Sequence, residues 1–527
     1  MPARTVREIT RDLLRDLGLT TIFGNPGTTE VPFLRQWPED LRYVLGLQES
    51  AVVAMADGFA QAARRPVLVN LHSAGGLGHG LGHVFTAYRN HTPMIIIAGQ
   101  QVRSLLPNDP FLGAVDATLF PKPYVKWSIE PARAEDVPAA IARAYHVAMQ
   151  PPYGPTFISV PADDWDAESE TVVAARPKIT SPLADPDALR ALVSALDRSQ
   201  RPVIVVGPAV DAEEAVPDMV ALAEKLRAGV WVSPMSARCS FPEHHPLFQG
   251  FLNPEARSIS GILSAYDLAV VFGAPVFTHH VHRGPAEHEL PDLFMISDDQ
   301  DALARAQTGV GIFSAIRPAI RRLTELVDQS ARPAPQPLVR PELPAEPAIS
   351  AAAVFAALSE LLPDNAIVVE ETPSHRNVMH DHLPIRSPET GFLTMASGTL
   401  GYGLPAAVGA AIARPDRRIV AVIGDGSSMY GIQALWTAAR EHLPVTFVIL
   451  DNSEYAALRI LAGMDNAKIP GVELGGIDFV GLARSMGCQG RLVSDLDDLR
   501  DALRVSLVDD RPTLLHVPVV DPPHTLY

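Results

Sequence analysis

Short apolar runs alternate with helical stretches along almost the whole chain, and this alternation constrains the fold more than any other feature. The first third contains five such runs: Thr21–Phe23, Tyr43–Leu45, Val67–Leu71, Met94–Ala98 and Thr156–Val160. Fully buried strands separated by helices produce this pattern, because each crossover between parallel strands needs a long connection. We therefore predict an α/β protein with doubly wound, mainly parallel sheets.

The pattern occurs twice more, and two irregular segments separate the three blocks. Eight further strands are predicted: Val203–Gly207, Val230–Ser233, Leu268–Phe272, Leu293–Ile296, Ile367–Glu370, Ile419–Ile423, Thr446–Leu450 and Thr513–Val517. Residues 165–181 are polar without a period, and residues 331–347 are rich in proline, which cannot occupy a helix interior. We predict three α/β domains, over residues 1–165, 182–330 and 348–527.

Composition and charge exclude several classes of protein. Of the 527 residues, 47% are apolar and 20% are charged, as in a folded globular protein rather than a disordered one. The formal charge of −17 without a basic stripe argues against nucleic-acid and anionic-membrane partners. No apolar run approaches the ~18 residues of a spanning helix, and two distant cysteines cannot form a disulfide framework. We expect a cytoplasmic protein.

A glycine–aspartate turn follows one predicted strand of the last domain, and an asparagine follows the next strand. The segments are Gly424-Asp425-Gly426-Ser427 and Asp451-Asn452-Ser453-Glu454-Tyr455. Loops at the carboxyl ends of neighbouring parallel strands face one crevice, the usual ligand site of open α/β sheets. Glycines let backbone amides approach a diphosphate, while a carboxylate, an amide and a carbonyl would supply oxygen ligands to a divalent cation. Two ordinary polar turns are the alternative.

Glu49 lies where a predicted strand gives way to an alanine-rich helix. Its apolar neighbours would favour the protonated carboxyl, which could share a proton with a heterocycle nitrogen. The alternative is a glutamate that is stabilised by the helix macrodipole.

Histidines mark further candidate positions. His72 ends a predicted strand before a glycine-rich turn, where its imidazole could act as acid and base. His79 and His83 are four residues apart on a predicted helix, but no third zinc ligand is apparent. His280 follows a predicted strand of the central domain, so it is either catalytic or part of a solvated loop.

Taken together, these residues resemble the thiamine diphosphate-dependent 2-oxo acid decarboxylase superfamily, and its benzoylformate decarboxylases more than its pyruvate decarboxylases or acetolactate synthases. The likeness covers nearly the whole chain. It is carried by residues 23–33, 70–74, 98–101, 125–128, 163–165, 424–427, 434–439 and 470–479. The resemblance implies a pyrimidine-binding (PYR) domain, a central domain and a diphosphate-binding (PP) domain, in that order.

The resemblance also implies how the cofactor would be held. Glu49 would hydrogen-bond the aminopyrimidine ring and promote loss of the C2 proton of thiamine diphosphate. The Gly398 carbonyl would accept from the 4′-amino group, and Leu400 would keep the cofactor bent. The remaining cofactor contacts would be Ser374, Gly424, Asp425, Gly426, Ser427, Asn452 and Tyr455, and the ligands of Mg²⁺ (or Ca²⁺) would be Asp425, Asn452 and the Glu454 carbonyl.

The implied substrate contacts lie on both sides of the cofactor. His72 and His280 would transfer protons, and Thr28 stands where the family has a serine that contacts the substrate carboxylate. The presumed pocket carries Phe111, Leu112, Thr394, Met395, Ala457 and Leu461. The chain departs from the family pattern at Thr28, Asp451 and Pro373, and the proline removes a donor near the phosphates.

The implied activity is non-oxidative decarboxylation of an aromatic, benzoylformate-like 2-oxo acid to aldehyde and CO₂, with carboligation of aldehydes to 2-hydroxy ketones. The cofactor would lie between the first domain of one subunit and the last domain of another, which implies at least a homodimer and, as a dimer of dimers, a tetramer. The alternatives are an acetolactate synthase-like or aldehyde lyase enzyme and a silent α/β binding protein. A nicotinamide oxidoreductase would show a clean G-x-G-x-x-G turn, which the chain lacks.

Overall fold

A computed structural model describes residues 4–173, 181–343, 348–387, 389–464, 470–520 and 526. Three six-stranded sheets follow one another along the chain, and every strand pair within them is parallel. The predicted α/β class with three doubly wound domains is therefore confirmed.

The first domain has the sheet order β3-β2-β4-β5-β7-β6. Its strands are β1 (Arg4–Thr5), β2 (Thr21–Gly24), β3 (Arg42–Leu45), β4 (Val67–Leu71), β5 (Met94–Gln100), β6 (Trp127–Ile129), β7 (Pro155–Pro161) and β8 (Glu168–Ser169), with β1 and β8 forming a separate antiparallel pair. Its helices are α1 (Val6–Asp16), α2 (Val31–Leu34), α3 (Glu49–Ala63), α4 (Ser73–Arg89) and α5 (Val137–Ala148). Thr5 and Glu8 form a capping box that starts α1.

The central domain has the order β11-β10-β9-β12-β13-β14. Its strands are β9 (Pro202–Val206), β10 (Gly229–Val232), β11 (Phe248–Phe251), β12 (Leu268–Phe272), β13 (Asp292–Ser297) and β14 (Val310–Phe313). Its helices are α6 (Pro186–Arg198), α7 (Pro208–Ala212), α8 (Val216–Leu226), α9 (Ala256–Leu263), α10 (Gln300–Arg305) and α11 (Ile316–Leu326). Every residue of β9 and β12 is buried, as expected for strands covered by helices on both faces.

The last domain has the order β16-β15-β17-β18-β20-β19. Its strands are β15 (Ile367–Glu371), β16 (Phe392–Leu393), β17 (Ile419–Gly424), β18 (Val445–Asp451), β19 (Gln489–Leu492) and β20 (Thr513–Pro518). Its helices are α12 (Ala351–Leu361), α13 (Arg376–His382), α14 (Gly403–Ala413), α15 (Asp425–Ser428), α16 (Ala434–Arg440), α17 (Ala456–Met464), α18 (Phe479–Ser485) and α19 (Leu496–Ser506).

The strand order reverses at a defined point in the first and last sheets, and these points position the candidate residues. In the first sheet the chain leaves β2 toward β3 and returns on the other side as β4, so the loops that follow β2 and β4 diverge there. The last sheet repeats this arrangement with β15 and β17. Ligands of open α/β sheets bind in the crevice at such a switch point. His72 follows β4, and Asp425 follows β17.

Helices α3 and α14 join the first and last domains of one chain into a common apolar core. Gly58 of α3 lies against the backbone of Ala406, and a Cβ at Gly409 of α14 would overlap the Met55 carbonyl, so only glycines permit this approach. A buried polar junction adjoins the contact, where Tyr402 donates to Asp57 over 3.0 Å. No helix in the described ranges combines the length and the apolar character that crossing a bilayer demands.

Two local predictions need correction. The glycine-rich stretch after His72 is not a turn, because it forms the body of α4, where Gly76 and Gly80 face α3. The polar segment 165–181 is partly structured, since it contains β8 and contributes to the short 3₁₀ turn Ala162–Asp166. Residues 174–180 of that segment, and residues 344–347 of the proline-rich one, lie outside the described residues.

Candidate active site

A cluster around His72 occupies the switch point of the first sheet. His72 Nδ1 lies 2.9 Å from Glu30 Oε2, and 21% of the histidine side chain stays exposed. Glu30 itself is buried and accepts the backbone amides of Gly27 and Gly99, each over 2.8 Å. A carboxylate fixed by several donors orients the imidazole and leaves Nε2 for chemistry. Glu30 was not predicted from the sequence, because only the fold brings it to His72.

Glu49 belongs to the same cluster. It is the first residue of α3 and is buried, as predicted. Asn25 Nδ2 donates to Glu49 Oε1 over 3.2 Å, and His79 Nδ1 lies 3.1 Å from Oε2. Gly76 separates Glu49 from His72, since a Cβ at Gly76 would lie 3.3 Å from Glu49 Oε1 and 3.4 Å from His72 Cβ.

Thr28 adjoins this cluster, and His79 and His83 have different surroundings. Thr28 lies exposed in the 3₁₀ turn that also carries Glu30. His79 contacts Glu49, whereas His83 is buried near the Tyr402 ring. The part of the chain that the structure describes contains no group of three His, Cys, Asp or Glu side chains that could hold a metal ion.

A second cluster lines a cavity of about 490 Å³ between the central and last domains. That volume lies within the range of small-molecule and cofactor sites. Its walls contain all the cofactor and metal residues predicted in the last domain together with one central-domain histidine: His280, Ser374, Gly398, Leu400, Gly424, Asp425, Gly426, Ser427, Asn452, Glu454 and Tyr455. Thr394, predicted in the substrate pocket, is buried and does not line the cavity. The backbone amide of His280 donates to the Pro254 carbonyl over 2.8 Å, which fixes its loop at the cavity.

The donor set in this cavity fits a divalent cation. Asp425 Oδ1 accepts the Gly426 amide, whereas Oδ2 is buried and has no hydrogen-bond partner among the described residues. Burial and the neighbouring Asp451 carboxylate raise the pKa of Asp425 to about 6. A bound cation would stabilise the ionised carboxylate and so offset this effect. The Glu454 carboxylate is taken by Arg459 over 2.7 Å, so the Glu454 group left for a metal is its backbone carbonyl.

Close packing around Gly426 shapes the floor of the cavity. A Cβ at Gly426 would overlap the Tyr455 ring and come within 2.9 Å of Leu474 Cδ1. The glycine therefore lets the backbone of the Asp425 turn lie directly under Tyr455. This geometry confirms that the two predicted loops meet.

A buried glutamate supports the loop that carries Gly398 and Leu400. Glu371 accepts the amides of Gly401 and Gly403, each over 2.6 Å. Burial raises its pKa to about 8. Glu371 was not predicted as a site residue, although two consecutive acids at the end of a buried strand were an available signal.

One chain does not bring the two clusters together. Among the described residues, those lining the cavity do not include Glu49, His72 or Thr28. Phe111 and Leu112, predicted in the substrate pocket, lie in the first domain, where Phe111 is 87% exposed. Met395, Ala457 and Leu461 do line the cavity, beside His280. The predicted histidine pair is therefore divided, with His72 in one cluster and His280 in the other.

Known protein families match all three domains. The N-terminal TPP binding domain of thiamine pyrophosphate enzymes matches residues 4–118, the central domain of these enzymes matches residues 189–323, and their C-terminal TPP binding domain matches residues 372–517. The chain belongs to the thiamine pyrophosphate enzymes.

Relatives of this thiamine diphosphate enzyme align over nearly its full length. The benzoylformate decarboxylase of Pseudomonas aeruginosa is 44% identical over 98% of this chain and 99% of its own. The crystal structure of benzoylformate decarboxylase from Polynucleobacter necessarius is 40% identical with a TM-score of 0.96, over 99% of this chain and all of the other. The 4-hydroxybenzoylformate decarboxylase of Rhodococcus jostii RHA1 is 41% identical with a TM-score of 0.94, over 98% and 100%.

These likenesses establish the reaction class. The enzyme is a thiamine diphosphate-dependent carboxy-lyase that decarboxylates 2-oxo acids, which are small-molecule substrates. The nicotinamide oxidoreductase and the silent binding protein are thereby excluded.

Proposed function

We propose that the enzyme decarboxylates an aromatic, benzoylformate-like 2-oxo acid and also joins aldehydes to 2-hydroxy ketones. The observation that carries the proposal is the composition of the cavity, where the metal-binding oxygens and His280 share one space with the apolar side chains of Met395, Leu400, Ala457 and Leu461. Apolar walls suit an aryl group, and the few polar groups fix its orientation. The similarity to a benzoylformate decarboxylase and to a 4-hydroxybenzoylformate decarboxylase supports the same substrate class.

Thiamine diphosphate, when bound, supplies the electron sink for loss of CO₂ from a 2-oxo acid. Asp425, Asn452 and the Glu454 carbonyl would bind Mg²⁺ or Ca²⁺, and the cation would anchor the diphosphate beside Ser374, Ser427 and Tyr455. Leu400 and the Gly398 carbonyl would position the two rings. Glu49 would hold a proton at the aminopyrimidine nitrogen, and Thr28 would contact the substrate carboxylate. His72 and His280 would move protons at the reacting carbon.

A second copy of the chain would complete each site. Several large apolar side chains of the first domain are exposed: Val31, which follows Glu30 in the chain, Leu47, two residues before Glu49, and Phe111, Val115 and Leu119. Met429, Tyr430 and Leu458 are likewise exposed beside the cavity of the last domain. Contiguous exposed apolar groups mark interaction surfaces. We infer a homodimer with two composite sites, and a tetramer as a dimer of such dimers.

His280 would then belong to the same chain as the metal ligands. It borders the cavity that holds Asp425 and Asn452, whereas His72 lies with Glu49 in the first domain. Each composite site would combine the His72 cluster of one subunit, which includes Glu49, with the cavity of its partner.

We infer a cytoplasmic location from the thiols. Cys239 and Cys488 are both buried and unpaired, and burial raises the pKa of each, which keeps them as inert thiols. Cell fractionation with an antibody would test this location.

Substrate profiling tests the proposed function directly. The purified enzyme, with thiamine diphosphate and Mg²⁺ added, should release CO₂ from benzoylformate with a kcat/KM at least tenfold above that for pyruvate. Chelation followed by dialysis should abolish turnover, and only the two cofactors together should restore it. Benzaldehyde with a second aldehyde should give a 2-hydroxy ketone. Acetolactate formed from pyruvate as the main product would contradict the proposal and favour the synthase alternative.

A further inference from the structure

One cationic side chain borders the cavity. Arg376 is the only arginine or lysine among the described residues that line it. It is the first residue of α13, and 18% of its side chain remains exposed. The proposed function gives this residue no role.

Two of the three guanidinium nitrogens of Arg376 already have acceptors. Nε donates to Glu370 Oε2 over 2.8 Å, and Nη2 donates to Thr394 Oγ1 over 2.7 Å. The third nitrogen, Nη1, retains accessible surface, and no residue in the described ranges accepts from it. Because the guanidinium is planar and rigid, the two fixed contacts also set the direction of Nη1. Arg376 thus presents a pre-oriented donor.

The Thr394 contact of this side chain lies two strands away from the predicted metal ligand Asp425. Thr394 follows the edge strand β16, Asp425 follows β17, and β15 lies between them. Neighbouring strands are ~4.8 Å apart, so about 10 Å separates the two loops across the sheet. Although Ser374 precedes Arg376 by only two residues, the Arg376 side chain reaches Thr394, on the β16 side of the cavity and away from the loop of Asp425. Its neighbours are Thr394 and Met395, the latter with Sδ 3.8 Å from Nη2, on the wall predicted to contact the substrate.

The charge of Arg376 is already balanced. Glu370 is fully buried and also accepts from the hydroxyl of Thr372 over 2.8 Å. Burial opposes the charged form, yet Arg376 and Thr372 hold the pKa of Glu370 below its usual value. The pair therefore carries no net charge. A second carboxylate at Nη1 would bring an unbalanced negative charge into a partly buried site, whereas a neutral oxygen would not.

We propose that Arg376 selects 2-oxo acids whose side chain carries a neutral hydroxyl oxygen at the end remote from the oxo acid group, such as a hydroxyl-substituted aryl ring. The inference rests on the proposed decarboxylation and names the residue that hydrogen-bonds the end of the substrate remote from the oxo acid group. Nη1 donates to that oxygen. A site built to hydrogen-bond an oxygen rejects the analogue without it, because the donor is left unpaired.

The test compares benzoylformates with a para-hydroxyl, a para-methyl or a para-carboxyl group. A charge-assisted hydrogen bond of ~1.5–3 kcal/mol predicts a hydroxyl-over-methyl ratio in kcat/KM of about 10–100 for the wild-type enzyme. The double variant E370Q/R376M should bring that ratio close to one. Glu370 is changed with Arg376 because the arginine change alone would leave a buried carboxylate unpaired.

Two further variants complete the design. Arg386→Met is the matched control, because Arg386 is an exposed arginine of the same domain that does not line this cavity, and it should keep the wild-type ratio. Thermal melts establish that each variant folds. Should the double variant fail to fold, Arg376→Lys keeps the charge opposite Glu370 but lacks the planar fork, and it should lower the ratio at least fivefold.

Calorimetric binding of 4-hydroxymandelate and 4-methylmandelate gives the same comparison without turnover. A wild-type enzyme that treats hydroxyl and methyl alike, that prefers the carboxyl compound, or that keeps its hydroxyl preference after the Arg376 change would overturn the inference. If the enzyme decarboxylates none of the three acids but binds 4-hydroxymandelate through Arg376, the proposed function fails and the role of Arg376 stands.

Discussion

Buried Glu30 and partly exposed His72 form a carboxylate–imidazole pair, with Oε2 2.9 Å from Nδ1. The pair resembles the arrangement in which an acid fixes the tautomer and the orientation of a catalytic histidine. Glu30→Gln keeps the shape but removes the charge, so we expect kcat to fall on the order of 10²-fold with little change in KM. Steady-state kinetics over a pH range would check this split. Glu39→Gln, at an exposed glutamate, is the control, and an unchanged kcat in Glu30→Gln would contradict a positioning role.

The approach of Tyr455 to the Asp425 turn depends on Gly426. A methyl group there would overlap the tyrosine ring, and overpacking of this kind costs about 1–3 kcal/mol. Gly426→Ala should therefore weaken thiamine diphosphate binding about tenfold or more, measured by calorimetry in the presence of Mg²⁺. Gly475→Ala is the matched control, because a Cβ there meets no atom within 4 Å. Equal affinity in both variants would mean that the turn adapts.

Burial explains which strands the sequence revealed. The thirteen predicted strands include every interior strand of the three sheets, because those strands are apolar on both faces. The five strands that the prediction missed within these sheets, β6, β11, β14, β16 and β19, are all edge strands. Four of them are only partly buried, such as β14, where only Ile312 is buried, so their apolar pattern fades. The fifth, β16, is buried but has only two residues.

Site residues were predictable from the sequence where they directly follow the end of a strand. Asp425 and Asn452 follow neighbouring strands, so sheet geometry alone brought them together. Glu30 was not predictable, because its contact with His72 spans 42 residues and depends on how the β2 loop folds. Glu371 accepts backbone amides of the loop at Gly401, and Arg376 donates to the Thr394 side chain of another loop. No local sequence pattern encodes these contacts. The division of the site residues between two clusters was likewise not predictable, because it depends on the packing of α3 on α14.

His83 makes the stability of the enzyme depend on pH. Burial lowers its pKa from 6.5 to about 4, so protonation disfavours the folded state. The free energy of unfolding is unaffected by His83 above pH 6.5. It falls as the pH is lowered from 6.5 through 4, and the total loss amounts to about 3 kcal/mol. His83→Gln should flatten the decline of Tm between pH 6.5 and 4, as measured by calorimetry, while His279→Gln, at an exposed histidine, should not. Parallel Tm curves for wild type and His83→Gln would contradict the assignment.

Mixing inactive variants tests the composite site and the side from which His280 comes. In a mixed dimer of His72→Ala and Asp425→Asn, one of the two sites receives an intact PYR domain from one subunit and an intact cavity from the other. Random exchange would therefore restore about a quarter of wild-type activity. His72→Ala with His280→Ala should recover in the same way. His280→Ala with Asp425→Asn should not, since both residues line one chain's cavity and every site would keep a defect. CO₂ release after subunit exchange measures each pair, and recovery in the last mixture would place His280 on the same side as His72.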